Sequence, residues 1–115
     1  IQAPFLQKLS IRALRCIVDS LRDCIYLPGD FIMRRGDLGS ELYFLRDGCA
    51  AIFLLESAPA WHDSELKLLR RGDYFGEVAV LTGAPRSSWV MARTYCVCSV
   101  LHRSAIDRVI ATEPT

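Results

Sequence analysis

Residues 72–92 read GDYFGEVAVLTGAPRSSWVMA and place one carboxylate, Glu77, and one guanidinium, Arg86, among glycine, proline and small apolar residues. The run EVAVL is too short for a standard helix and suits a single helical turn ended by Gly83. Such a turn presents unsatisfied backbone N–H groups at its start, where an anion is welcome. Arg86 is followed by Ser87 and Ser88. Its fork can bond two oxygens of one phosphate, while serine hydroxyls and backbone amides fill the remaining lone pairs. Ala79, Gly83 and Ala84 leave the backbone open to approach. Glu77 would repel a phosphate it touched, so its better use is to accept a hydrogen bond from a neutral sugar hydroxyl while tempering Arg86. The alternative is a partly buried Glu77–Arg86 salt bridge across the turn, and spacing alone leaves it open.

Other chemistries find little to stand on. His62 falls in a loop and His102 at a strand end, so neither a metal-ligand set nor a nucleophile–base pair is offered. The five cysteines contain no CxxC pair, and Cys96 and Cys98, two apart on one strand, read as reduced thiols buried on one face. The net charge of +1 gives no broad electrostatic case for nucleic acid or an anionic membrane. No apolar run approaches the roughly eighteen residues of a membrane span. Neither catalytic nor metal-ligating residues are therefore assigned, and the chain is expected not to be an enzyme.

The elements that must position the 72–92 segment are short. At 115 residues the chain is long enough for one domain with one core. Ile11, Leu14, Val18 and Leu21 recur with helical spacing behind a capping Ser10. Strand-like runs then cover 24–26, 31–33, 41–45, 50–55, 65–69, 89–92 and 95–101, with a further strand-like DYF before Gly76. Their breaks include Gly36-Asp37, Asp47-Gly48 and Gly72-Asp73, where glycine permits positive φ and aspartate bonds its own turn. ESAPAWHDS reads as a hairpin loop in which Trp61 and His62 are solvated or partly packed. Ile106, Val109 and Ile110 form a last helical stripe, and Pro114 marks a break. Strands spaced by about ten residues suggest an all-β sandwich or roll.

FGEVAVLTGAPRSSWV resembles the phosphate-binding cassette of cyclic nucleotide-binding domains, with Phe75, Gly76, Glu77, Val78, Ala79, Pro85, Arg86, Ser87, Ser88 and Val90 on the pattern. YLPGDFIMRRGDLGSELYFLRDGCAAIF resembles the family's opening, and PFL near the start fits the segment before the roll. The resemblance implies an eight-stranded antiparallel β-roll of jelly-roll type, with an N-terminal helix, a short cassette helix and a C-terminal helix. Residues 1–115 then form a single domain, divided into a helical segment 1–23, the roll 24–101 and the helix 102–115. It also implies that Arg86 holds the cyclic phosphate and Glu77 the ribose 2′-OH, with Gly76, Val78, Ala79, Ser87 and Ser88 completing the site. The ligand is cAMP or cGMP, Ser87 being compatible with both, and no cofactor is implied.

ARTYCVCSVL is similar to the cytoplasmic domains of cyclic nucleotide-regulated cation channels, whereas RSSWV is similar to bacterial catabolite-activator proteins. The expected host is accordingly a channel, with the domain on the cytoplasmic side of a membrane, joined by linker helices to a pore and assembled as a homo-oligomer. The alternatives are a catabolite-activator-like regulator, a cyclic nucleotide-dependent kinase, or a module whose pocket is vestigial. No nucleic acid is expected to bind this stretch itself. Opening without a methionine, the chain is read as a piece of a longer protein, ending just before the helix that lids the base.

Overall fold

The computed structural model describes residues 9–112, so PFL and Pro114, with the lid expected to start there, lie outside the described residues. Three helices flank eight strands among those residues: α1 (Ile11–Ser20), β1 (Arg22–Tyr26), β2 (Phe31–Met33), β3 (Glu41–Asp47), β4 (Ala50–Phe53), β5 (Lys67–Leu69), β6 (Tyr74–Phe75), α2 (Glu77–Thr82), β7 (Trp89–Ala92), β8 (Cys96–His102) and α3 (Arg103–Thr112). The strands form two four-stranded sheets, ordered β1-β8-β3-β6 and β2-β7-β4-β5, and every pairing is antiparallel. This is the expected roll. It begins at Arg22 and ends at His102, one or two residues outside the expected 24–101.

Alternation along the strands sorts side chains to two sides of each sheet. Tyr43, Leu45, Cys96 and Cys98 of the first sheet meet Met33, Ala50, Leu69 and Val90 of the second in the main core. The other side of the first sheet carries Leu42 and Leu101, which pack with Ala13 and Ile17 of α1, Val80 of α2 and Ala105, Ile106 and Val109 of α3. The outer side of the second sheet gathers Ala51, Phe53 and Met91 with Phe31 and Trp89 around them.

Ser10 caps α1 as expected, its hydroxyl accepting from the Ala13 N–H at 3.1 Å. The buried face differs from the expected stripe. Ile11 is 86% exposed and Val18 51%, while Ala13 and Ile17 are buried and Leu14 and Leu21 only flank them. Alanine at 13 lets the neighbouring helix come close, so the face centred on Ala13 and Ile17 wins over the larger side chains one position away. In α3, Ile106 and Val109 are buried but Ile110 is exposed, its place on the packed face being taken by Ala105.

The fourth strand stops at Phe53 rather than 55, because Leu54 and Leu55 leave the ladder and give their carbonyls to Arg35, and Leu55 also to the Trp89 indole. Segment 54–66 thereby folds back over the outer side of the second sheet. Arg93 fastens it: the guanidinium sits 5.3 Å from the Phe53 ring and 5.0 Å from the Trp61 ring, and donates to the Trp61 and Asp63 carbonyls. Trp61 is thus a partly packed residue, as expected. Asp73 closes its own turn onto the Arg70 N–H at 2.8 Å, with Gly72 at φ 95°.

Cys96 and Cys98 do share a buried face, whereas Cys16 is exposed. Burial pushes the Cys98 thiol from its usual 9.0 up to about 12, with the neighbouring thiols Cys96 and Cys24 adding to the rise. The folded state therefore holds this proton more tightly than the unfolded chain. Its stabilising effect is complete below about pH 9 and is lost as pH rises toward about 12. Iodoacetamide is expected to modify Cys16 in the native protein and Cys98 only on unfolding, and urea midpoints should fall above about pH 9. Native-state alkylation of Cys98 at the Cys16 rate would contradict this placement.

Candidate functional site

The segment from Gly76 to Ser88 is bracketed to the turn before β3 by two backbone hydrogen bonds. Arg86 N–H donates to the Asp37 carbonyl at 2.8 Å, and Gly36 N–H donates to the Arg86 carbonyl at 2.9 Å. Gly76 starts α2 from the left-handed region, at φ 89°, and Gly83 ends it from the same region, its N–H returning to the Ala79 carbonyl. EVAVL is therefore the short turn expected, one residue longer. Its Ala79 and Val80 are buried, Val78 is exposed, and Arg103 donates to the Val80 carbonyl from the start of α3.

Arg86 is the centre of this site. It is 4% exposed, and its guanidinium donates to the Gly76 carbonyl at 2.9 Å and the Glu41 carbonyl at 2.8 Å. The Tyr43 ring, itself stacked on Phe75, lies 5.7 Å away. Glycine is demanded on both flanks. A methyl group on Gly39 would collide with the guanidinium, and one on Gly76 would stand 2.8 Å from Nη1 and 3.0 Å from the Glu41 carbonyl.

The ion pair contemplated between Glu77 and Arg86 is not the one formed. Arg86 instead meets Glu41, with Nη2 3.4 Å from Oε2, and Glu77 enters no ion pair among the described residues. Tertiary folding decides this: β3 carries Glu41 up to Arg86, while α2 turns Glu77 onto the wall of a cavity.

That cavity, of about 220 Å³, is lined by all seven residues that the resemblance implied, Gly76, Glu77, Val78, Ala79, Arg86, Ser87 and Ser88, whereas Gly83 and Ala84 stand outside it. Ser88 is buried and Ser87 exposed. The opposite wall was not foreseen. Met33, Val90, Ile52 and Lys67 form one row of directly paired residues across β2, β7, β4 and β5, and all four face the cavity. Alternating apolar strands gave a faint signal for three of them, but their alignment depends on register. Gly39 and Glu41 were also missed as partners of Arg86, although both lie in the GDLGSELYF motif.

Chemically, the arrangement is a cation removed from water, bonded to two neutral carbonyls and grazed by one half-exposed carboxylate. A desolvated charge is costly without a close counter-charge, so the site favours an anion at Arg86. Serine hydroxyls and the Glu77 carboxylate complete a polar end, and the Met33–Lys67 row supplies a flat, largely apolar one. Among the described residues no cluster of ligating side chains could hold a metal ion.

The family model of the cyclic nucleotide-binding domain matches residues 24–113, and the chain belongs to this family. The cAMP-dependent protein kinase regulatory subunit of Pyricularia oryzae is 34% identical over 109 residues, which cover 95% of this chain and 27% of the relative. The cGMP-dependent protein kinase of Toxoplasma gondii is 38% identical over 85 residues, covering 74% and 8%. The regulatory domain of Toxoplasma gondii PKA, co-crystallised with cAMP, superposes with a TM-score of 0.80 at 28% identity, over 95% of this chain and 41% of that one. A PKAR CBD2 domain bound to Sp-2Cl-cAMPS gives 0.72 at 26% identity, over 92% and 68%. The chain thus spans about a quarter of the regulatory subunit and a tenth or less of the kinase. These relatives are kinases and kinase regulators, which favours the kinase alternative over the expected channel host. No helix among the described residues is long and apolar enough to cross a membrane.

Substituting Gly39 by alanine is expected to drive the guanidinium out of its slot and to destabilise the domain by about 1–3 kcal/mol, the usual cost of overpacking. Chemical denaturation of Gly39→Ala checks it, and an unchanged midpoint would show that Arg86 is not confined there.

Proposed function

We propose that this domain binds cAMP or cGMP as the sensor of a cyclic nucleotide-regulated kinase system, and that it does no chemistry on the ligand. The observation that carries the reading is the nearly fully buried Arg86 at the floor of a cavity walled by Glu77, Ser87 and Ser88. In this reading Arg86 bonds the cyclic phosphate, Glu77 accepts from the ribose 2′-OH, and the amides of Gly76, Ala79 and Ser87 add polar contacts. The Met33–Val90–Ile52–Lys67 row then lies against the purine. Relatives that are themselves kinase regulatory subunits or were solved with cAMP support this over channel gating.

The ligand acts by shifting a population, and only through its different affinity for two arrangements. The route out of the site is α2. Val80, on the far side of that helix from the cavity, is packed among Ile106 and Val109 of α3, and Arg103 tethers its carbonyl. Reorganisation of α2 around a phosphate therefore moves α3, which passes the change to the rest of the polypeptide. A coupling of about 1–3 kcal/mol is typical of such devices.

Arg86→Ala is expected to remove roughly 2–5 kcal/mol of nucleotide binding, because a desolvated phosphate would lose its charged partner. That corresponds to a loss of roughly thirty- to several-thousand-fold in affinity. Calorimetric titration with cAMP and cGMP side by side measures it. Normal binding by the folded Arg86→Ala protein would overturn the assignment, and silence of the wild-type protein toward both nucleotides at millimolar levels would point to a vestigial pocket.

A further inference from the structure

Glu41 stands between two hollows. On one side its backbone carbonyl and its carboxylate both face Arg86 Nη2, at 2.8 and 3.4 Å. On the other side Glu41 lines a separate cavity of about 290 Å³ together with Arg22, Cys24, Tyr26, Tyr43 and His102. His102 is its direct cross-strand partner on β8, and Arg22 on β1 is aligned through Val100 with Tyr43. The two ion-pair members are held differently: the Arg86 side chain is 3% exposed and bonded to two carbonyls, whereas the Glu41 side chain is 37% exposed. The guanidinium is therefore enclosed, while the carboxylate has open space beside it. Tyr43 reports both charges, its hydroxyl being pushed up mainly by burial, further by Glu41, and held back by Arg86.

We propose that Glu41 is a built-in competitor for Arg86, occupying part of the guanidinium that an incoming phosphate needs and turning toward Arg22 and His102 when the phosphate arrives. This rests on the nucleotide-binding reading above. Glu41 acts through Arg86 and is a positioning residue. Its negative charge opposes a second anion on the same cation, so it lowers affinity and keeps the bound state from being over-populated. The long contact to Oε2 fits this role, since a carboxylate bonded in two-pronged fashion to Arg86 would be far harder to displace.

The groups facing Glu41 are Arg86, His102, Arg22, Tyr43, Tyr26 and Cys24. Calorimetric titrations of wild-type, Glu41→Gln and Glu41→Ala proteins with cAMP and cGMP at neutral pH, in low and in high salt, test the proposal. Both variants are expected to bind about three- to ten-fold more tightly than wild type in low salt. The gain of the variants over wild type should shrink as salt is raised, because screening weakens the field of a carboxylate that is more than a third exposed. Folded variants that bind no more tightly than wild type, or a gain in affinity that salt leaves unchanged, would overturn this inference and leave the nucleotide-binding reading standing. A wild-type protein that binds neither nucleotide overturns both.

Discussion

A guanidinium taken out of water needs a surrounding that is built for it, and much of the architecture on the α2 side of the roll follows from housing Arg86. Its slot is made by the absence of side chains at Gly39 and Gly76 and by two carbonyls that come from different parts of the chain. The backbone bracket between Arg86 and the turn at Gly36 and Asp37 keeps the segment from drifting. Neutral carbonyls solvate the charge without cancelling it. The result is a fixed positive centre whose field is directed into a hollow, and low-dielectric walls strengthen it there.

The site is joined to the helices by the same six-residue turn that forms one of its walls. Ala79 faces inward to the cavity and Val80 faces the helical cluster, so successive residues of α2 belong to two different packing regions. Interiors packed at crystal-like density do not deform smoothly, and a small shift of such a turn is resolved by re-seating one side or the other. That is the physical basis of the route proposed above from the pocket to α3.

The roll and the site were legible in the sequence to different depths. The residues from Gly76 to Ser88 form a local unit, so the cassette pattern, once its resemblance was noticed, named seven residues that line one cavity. The partner of Arg86 was not legible, because Glu41 is 45 positions away and reaches it only through strand pairing. Between two acids, proximity in the chain pointed to Glu77 and the fold delivered Glu41. The buried side of α1 was misread for a related reason: apolar residues occur on two adjoining faces, and the choice between them is made by the small Ala13 against α3, not by periodicity. Trp89, in the RSSWV run, turns away from the cavity to the outer cluster, so it carries no information about the ligand.

Strand order has one more result. The first and last strands of the roll are direct neighbours, and the helices that precede and follow them belong to one apolar cluster. Both flanks of the domain therefore leave from the same corner, like the two leads of a plug. In the regulatory reading proposed above, a twist at that shared joint would be felt by both helices at once.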